Sequence, residues 1–288
     1  MSLDRIELDG VGSPARLAAR IHDLAPDLPL DFDIKALCRQ LDIHQIEEVD
    51  TSAYEVAIIM DEYKADGSML LARSSSAKRR RFSIGHELGH FLLPTHLPRS
   101  GGFSCSHGDL KSQDAKSKDR HARVEAGANR FAAHLLIPPR KIRAKLTAPQ
   151  PDLNVVRQLS EAFFVSKEAM ARSYVEAHRE TLALIFLHHG KVRRFYKPDD
   201  FPFIDVTIGS EVPEHSVASG NELAPSETSE LEECDPAIWL GEWSQRQVET
   251  LERSGNVPAG RPRHGTASCG IAGIGLLEPF ADRAMFLL

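Results

Sequence analysis

A chain of 288 residues can bury a sizeable core, and its length fits two domains with a small helical module between them. With 42% hydrophobic and 26% charged residues, the composition is typical of a globular protein and excludes a disordered one. No apolar run approaches the ~20 residues that a membrane helix needs, and the N-terminus lacks a signal-peptide pattern, so we expect a cytoplasmic protein with no membrane partner. The four cysteines form no CxxC pair, which argues against a disulfide framework and a cysteine-only zinc site.

The net charge of −6 is unevenly distributed along the chain. Residues 198–245 contain twelve acids and no lysine or arginine, so the remainder of the chain is mildly basic. A mildly basic surface permits weak contact with DNA without requiring it, and a solvated surface is the simpler interpretation.

The first part of the chain predicts two helices followed by a small sheet. Amphipathic patterns cover residues 13–24 and 32–41. Three β-type runs follow, at 43–49, 54–60 and 68–72. Asp66-Gly67, just before the last run, is typical of a hairpin turn. Helices beside a short sheet indicate the α+β fold class.

Residues 79–93 contain an HExxH pattern. If this run is helical, His86 and His90 stand one turn apart on one face, with Glu87 within about 100° of both around the axis. Two neutral imidazoles so placed can bind one Zn²⁺ ion, and the carboxylate between them can take a proton from metal-bound water. The pattern therefore predicts a metallopeptidase site, with a solvated helix bearing two surface histidines as the alternative.

Two neighbouring features allow more than one interpretation. The four cations at 78–81 lie near the helix start, where they oppose the helix dipole, so they indicate substrate or nucleic-acid contact or, more simply, solvated charge. The polar stretch 95–119 is predicted to be a long loop. Its Cys105 could close the open zinc position as a thiolate and hold an enzyme latent, although an idle thiol is the simpler interpretation.

Residues 120–137 predict a second helix with an apolar stripe. Glu125 and Asn129 share a face beside this stripe, one turn apart. If this helix packs on the first, Glu125 becomes the third protein ligand, and Asn129 can form a hydrogen bond with a ligand histidine. The alternative for Glu125 is an ordinary surface acid. The residue that stabilises the oxyanion stays open among His121, His134 and Tyr174.

The chain after residue 150 predicts two further structures. Residues 152–178 have the pattern of two short helices with Ser166 as the N-cap of the second, a helix-turn-helix outline whose mixed charges favour packing over DNA reading. Residues 181–187 and 191–196 then predict a β-hairpin that opens a C-terminal domain.

The sequences around His86-Glu87-Leu88-Gly89-His90 and around Glu125-Ala126-Gly127-Ala128-Asn129 resemble, in this order, the two motifs of the ImmA/IrrE family of metallopeptidases. The resemblance implies a minimal zincin-like catalytic domain and then a helix-turn-helix-like module. It also implies that His86, His90 and Glu125 bind the metal and that Glu87 is the base. One departure is Gly127, where many relatives have a second acid.

The resemblance also implies the domain organisation and the biological role. Members of this family act as site-specific endopeptidases on DNA-binding repressors, and those of the IrrE type respond to radiation and desiccation damage through a further GAF-like sensor domain. We therefore predict a metallopeptidase domain at 1–148, a helix-turn-helix-like module at 149–180 and a C-terminal α/β, GAF-like sensor domain at 181–288. The last would bind an unidentified small-molecule signal.

The predicted function is that of a metal-dependent endopeptidase that uses Zn²⁺, Mn²⁺ or another divalent ion to cleave a DNA-binding repressor in a stress or DNA-damage response. The alternative is a regulatory DNA-binding or sensor protein whose metal site is structural or vestigial. Glu87 favours the enzyme, because a structural site needs no base.

Overall fold

In a computed structural model, the chain folds into two compact units. The first is formed by residues 1–142 and 159–169, and the second by residues 143–158 and 170–288. Across the part of the chain that the structure describes, no helix is both long and apolar enough to cross a membrane. The residues described are 3–73, 76–97, 102–105, 110, 119–146, 151–199, 201, 203–216, 232–234, 237–240, 269–278 and 281–287.

Two helices, α1 (Pro14–Leu24) and α2 (Ile34–Gln40), confirm the first two predicted elements. Proline at the first position of α1 is favourable because its missing N–H would have no partner there. Asp33 caps α2, since its side chain accepts a hydrogen bond from Lys35 N at 2.8 Å. The residues that these helices bury are Leu17, Ala18, Ile21, Ile34, Leu37 and Cys38.

A four-stranded sheet forms the other layer of the first unit, in the order β1-β3-β2-β4. Its strands are β1 (Ile43–Val49), β2 (Val56–Met60), β3 (Gly67–Ala72) and β4 (Gly102–Cys105). Strand β1 is parallel to β3, and the other two pairs are antiparallel. The edge strand β4 corrects the prediction of a loop throughout 95–119. A four-residue strand is too short to show a periodic pattern in the sequence.

The hairpin between β2 and β3 is confirmed, but its turn differs from the predicted one. Met60 pairs with Gly67, so the connection comprises residues 61–66. Lys64 adopts the positive φ of 54° in this connection. Gly67 belongs to β3, where a Cβ atom would lie 2.7 Å from Ile43 Cδ1. The glycine is therefore needed for close packing of the strand and not for the turn.

Two long helices follow, α3 (Ala77–Leu92) and α4 (Arg120–Leu136), and then the short α5 (Pro139–Arg143). Ser76 Oγ accepts a hydrogen bond from Arg79 N at 3.3 Å at the start of α3. Asp119 caps α4 in the same way, accepting from His121 N at 3.0 Å. Each long helix thus begins at a residue that satisfies one of its exposed backbone N–H groups.

The basic run at 78–81 is engaged by the fold, which corrects the interpretation of solvated charge, while contact with substrate or nucleic acid stays a prediction. Arg81 is 6% exposed, and its guanidinium donates hydrogen bonds to the carbonyl oxygens of Asp31 and Phe32. The other three cations, Lys78, Arg79 and Arg80, form ion pairs with Glu161, Glu55 and Glu48. These contacts outweigh the small unfavourable interaction of the four cations with the helix dipole. They also connect the start of α3 to the surrounding parts of the first unit.

Helices α6 (Leu153–Ala162) and α7 (Lys167–Ala177) confirm the two short helices predicted for 152–178. Phe164 adopts a φ of 51° in the turn between them. Ser166 caps α7 as predicted, because its Oγ accepts a hydrogen bond from Ala169 N at 3.1 Å.

The second unit has a five-stranded sheet in the order β6-β5-β9-β8-β7. Its strands are β5 (Leu184–His188), β6 (Lys191–Tyr196), β7 (Glu232–Cys234), β8 (Cys269–Glu278) and β9 (Ala281–Leu287). The predicted hairpin is confirmed, with positive φ at both turn residues, His189 (51°) and Gly190 (69°). Together the two units confirm the α+β fold class, while the domain boundaries at 148 and 180 stay a prediction.

Candidate metal centre

The three side chains of the HExxH pattern lie on α3 and are buried. His86, Glu87 and His90 are each 0% exposed. The rings of His86 and His90 have centroids 4.7 Å apart, and their Nε2 atoms are 3.0 Å apart. Charged and polar side chains are rarely buried this completely unless they are paired or bind a metal. The alternative of a solvated helix with two surface histidines is therefore excluded.

Helix α4 brings Glu125 to the same point. Gly89 lies so close to α4 that a Cβ atom there would be 3.3 Å from Ala128 Cα. This close approach leaves Glu125 Oε2 3.2 Å from His86 Nε2 and 3.5 Å from His90 Nε2. Glu125 is 1% exposed, so it is not an ordinary surface acid.

The spacing of these three donor atoms fits one shared metal ion. Zinc bonds to nitrogen and oxygen of about 2.0–2.1 Å place the ligand atoms of a tetrahedral site about 3.3–3.4 Å apart. The separations among His86 Nε2, His90 Nε2 and Glu125 Oε2 are 3.0, 3.2 and 3.5 Å. One ion can therefore be bound by α3 and α4 with little movement of their side chains.

A fourth donor atom comes from the edge strand. Cys105 Sγ is 3.8 Å from His90 Nε2 and 3.7 Å from Glu125 Oε2. The four donor atoms, with that of His86, all lie within 4.8 Å of one another, and all four residues are buried. Phe103 of β4 stacks on the ring of His90, with centroids 4.2 Å apart. The thiol is thus part of the cluster of donors.

The other ring nitrogen of each histidine is also engaged. Asn129 Oδ1 lies 2.8 Å from Nδ1 of His86, as the sequence analysis expected of an orienting contact. His96 Nδ1 lies 3.1 Å from Nδ1 of His90. If each ligand histidine donates from Nδ1 to these acceptors, its Nε2 lone pair faces the metal position. Their roles in metal binding stay a prediction.

Sequence reasoning missed His96, because it lies beyond the end of α3 and outside both motifs. The sequence feature that could have pointed to His96 is Gly127. A Cβ atom at Gly127 would lie 2.9 Å from His96 Nε2, so any side chain there would displace the imidazole. The departure from the family pattern at Gly127 is therefore matched by a buried histidine that occupies the space.

Burial and charge set the protonation of the cluster. Burial lowers the pKa of His90 to about 4 and that of His96 to about 3. Burial acts to raise the pKa of Glu125, but the adjacent rings of His86 and His90 outweigh this effect and hold that pKa well below its usual range. At neutral pH His90 and His96 are thus neutral and Glu125 is ionised, which are the forms needed for binding and supporting a cation.

The three candidates for oxyanion stabilisation have different surroundings in the structure. His121 Nδ1 lies 3.7 Å from Glu125 Oε1, and its side chain is 62% exposed. His134 is half-buried on α4. Tyr174 belongs to the second unit, where its hydroxyl accepts a hydrogen bond from Asp152 N at 2.9 Å. His121 thus contacts the metal-donor cluster through Glu125.

Comparison with known proteins agrees with this architecture. The chain matches the Peptidase_M78 family model, described as the IrrE N-terminal-like domain, over residues 38–173. Among solved structures, a Mycobacterium tuberculosis transcriptional regulator is similar in fold, with a TM-score of 0.51 and 14% identity over 95% of this chain and 86% of that one. The comparison with curated proteins gives no significant match. The matched segment contains α3, β4 and α4 with all the metal-donor residues, so this part of the chain is similar to the Peptidase_M78 (IrrE N-terminal-like) domain.

Proposed function

We propose that this protein is a metal-dependent endopeptidase that cleaves a DNA-binding transcriptional repressor and so switches on a stress response. The observation that supports this proposal is a buried carboxylate beside a metal-donor set. Glu87 is 0% exposed and directly follows the donor His86. Burying a carboxylate is costly, and a structural metal site has no use for it.

In this proposal each side chain of the site has a distinct role. His86, His90 and Glu125 hold a divalent ion, for which Zn²⁺ is our proposal because nitrogen, oxygen and sulfur donors at this spacing suit it. When bound, the ion polarises the scissile carbonyl and makes water a better nucleophile. Glu87 takes the proton from the attacking water and later gives it to the leaving amine nitrogen. Asn129 keeps the His86 ring oriented through the 2.8 Å contact.

Metal stoichiometry is the first test. Elemental analysis of the purified full chain is expected to give about one zinc or manganese per chain, and Glu125→Ala is expected to lose it. Glu62→Gln, at an exposed glutamate of the same unit, serves as the control and is expected to keep the metal. A wild-type chain that takes up no metal after reconstitution would overturn the proposal.

The role of Glu87 has its own test. Glu87→Gln is expected to keep the metal and to lose cleavage, because an amide cannot accept the proton. DNA-binding proteins captured by this variant would be incubated with the zinc-loaded wild-type chain, and new peptide termini would be identified by mass spectrometry. Cleavage by Glu87→Gln at the wild-type rate would remove Glu87 from the role of base.

The remaining parts of the chain are assigned by the same proposal. We propose a helix-turn-helix-like module at 149–180, supported by the pair α6 and α7, and a GAF-like sensor domain for an unidentified small molecule at 181–288. A cytoplasmic location and weak DNA contact complete this proposal. DNA contact receives little support from the basic run 78–81, whose cations are paired. Salt-dependent binding of the chain to promoter DNA is the measurement for it.

A second candidate function is a regulatory protein with a structural metal site. The position of Cys105 favours it, because four protein donors are typical of structural zinc. Promoter binding without cleavage of any captured repressor is the result that would distinguish it from the peptidase.

A further inference from the structure

We infer that the Cys105 thiolate is a fourth protein ligand of the metal and closes the site, so that the metal-loaded chain is a latent form of the enzyme. This inference rests on the proposed function, because it concerns the same metal centre. It goes further in assigning a regulatory role to β4, which lies between the two motifs of the family.

The distances from the sulfur to two of the other three donor atoms match those of a zinc ligand. A zinc–sulfur bond of about 2.3 Å and a zinc–nitrogen or zinc–oxygen bond of about 2.05 Å place the two ligand atoms about 3.6 Å apart in a tetrahedral site. Cys105 Sγ is 3.8 Å from His90 Nε2 and 3.7 Å from Glu125 Oε2. These separations are longer than those among the nitrogen and oxygen donors, as the larger sulfur requires.

The strand positions the thiol through two independent contacts. Phe103 and Cys105 are two residues apart on β4, so their side chains share one face of the strand. Phe103 stacks on the imidazole of His90 while Cys105 reaches the donor cluster. On the β2 side, Glu55 N donates a hydrogen bond to Cys105 O at 3.0 Å, and Ile58 pairs with Phe103.

A closed donor set has a direct consequence for catalysis. A catalytic zinc keeps one position open for water or substrate, whereas four protein donors fill a tetrahedral site. With Cys105 bound, neither water nor a scissile carbonyl can reach the ion. Because β4 is the edge strand and pairs with β2 alone in the described sheet, it can withdraw without disturbing the pairing of the other three strands.

Cobalt substitution tests the ligand directly. The metal-free full chain is loaded with Co²⁺ and its absorption spectrum recorded. A thiolate ligand gives a near-ultraviolet sulfur-to-cobalt charge-transfer band, which is expected in the wild type and in the control Cys38→Ala, and lost in Cys105→Ser and Cys105→Ala. Cys38 is a suitable control because it is also buried in the first unit, on α2. Zinc affinity of the two Cys105 variants is expected to fall at least about tenfold.

The cobalt spectra distinguish a failure of the Cys105 ligand from a failure of the proposed metal site. Cobalt binding without a charge-transfer band in the wild type overturns the inference and leaves the three-ligand peptidase site intact. A band that persists in Cys105→Ser overturns it as well, because another cysteine would then be the ligand. A wild-type chain that binds no cobalt overturns both proposals.

Azide tests whether the site is closed. Azide binds an open coordination position, so it is expected to shift the visible cobalt spectrum of Cys105→Ser and to leave that of the wild type unchanged. An equal shift in both proteins would show that the wild-type site is open and would contradict latency.

Discussion

At the scale of single residues, the candidate site depends on which nitrogen of each ligand histidine carries the proton. Asn129 Oδ1 can only accept a hydrogen bond, so at 2.8 Å it requires the proton on Nδ1 of His86 and leaves Nε2 for a metal. His96 has a pKa lowered to about 3 by burial, so it is neutral and can accept a hydrogen bond from His90 Nδ1. Asn129 thus fixes the tautomer of His86, and His96 provides an acceptor for the corresponding tautomer of His90.

Asn129 variants test this orientation. Asn129→Leu is expected to weaken zinc affinity by about 10–100-fold, because the His86 ring loses its partner. Asn129→Asp keeps an acceptor oxygen and is expected to retain the affinity. Competitive titration with a chelator measures both. Equal affinity in the leucine variant and the wild type would show that the contact does not orient the ligand.

Arg81 offers a prediction about stability at the same scale. Its guanidinium is buried, donates hydrogen bonds to Asp31 O and Phe32 O, and lies over the Phe32 ring with its Cζ 4.6 Å from the centroid. Arg81→Met removes charged hydrogen bonds worth about 1.5–3 kcal/mol each and leaves carbonyl oxygens without their donor. We expect the free energy of unfolding in urea to fall by at least about 2 kcal/mol.

The matched control is Arg73→Met. Arg73 pairs with Asp50 at 3.2 Å, but the two side chains are 59% and 80% exposed. Exposed ion pairs contribute about 0–1 kcal/mol, so this variant is expected to unfold almost as the wild type does. A similar loss in both variants would mean that burial of the guanidinium is unimportant.

At the scale of elements, the site depends on how closely α3 and α4 approach each other. Two glycines of α3 face neighbours at different distances. A Cβ atom at Gly89 would lie 3.0 Å from Phe131 Cδ1 and 3.3 Å from Ala128 Cα, whereas at Gly85 the nearest atoms, in Ala132 and Ile34, would be 3.4 Å away. Gly89 therefore sets the helix spacing, and Gly85 has room for a methyl group.

Alanine at these two positions is expected to have opposite effects. Gly85→Ala gains helix propensity and should raise the free energy of unfolding by up to about 1 kcal/mol. Gly89→Ala should lower it by up to about 2 kcal/mol, because overpacking separates the helices. It should also weaken zinc affinity, since Glu125 moves away from His86 and His90. Urea unfolding and chelator titration measure the two effects, and stabilisation by Gly89→Ala would contradict this account.

Sequence alone could predict elements whose pattern repeats, and not those that depend on distant contacts. The helices α1 to α4 have apolar stripes, and the HExxH spacing follows from helix geometry, so His86 and His90 could be placed on one face in advance. Strand β4 has four residues and no repeating pattern, so the sequence left Cys105 open between a metal ligand and an idle thiol, and its position beside the donors was visible only in the fold. The contact between His96 and His90 likewise depends on chain folding beyond Pro94, which no local pattern encodes.

At the scale of the whole molecule, metal binding and folding are coupled. The metal-donor residues come from α3, β4 and α4, which are brought together only when the first unit is folded. An ion that binds the folded chain alone stabilises it, by about 4 kcal/mol when its free concentration is 1,000 times its dissociation constant. The unfavourable free energy of burying the histidines and the carboxylate is therefore measurable in the metal-free protein.

The stability of the metal-free chain should depend on pH through these groups. Burial lowers the pKa of His22, His90 and His96, to about 4 for His90 and about 3 for His96. In the unfolded chain histidine has a pKa of about 6.5, so the unfolded state binds more protons below that pH. The free energy of unfolding should therefore be fully present above pH ~6.5 and fall as pH decreases toward 4, by up to about 1.4 kcal/mol per pH unit for each histidine.

Urea unfolding in the presence of EDTA, repeated between pH 7.5 and 4.5, measures this slope. His96→Gln removes one of the buried imidazoles and is expected to flatten the dependence. His44→Gln removes an exposed imidazole and should leave the slope unchanged. If the free energy of unfolding of the wild type did not change over this range, the histidines would be as accessible to protons in the folded chain as in the unfolded one. That result would contradict the burial of the metal-donor cluster.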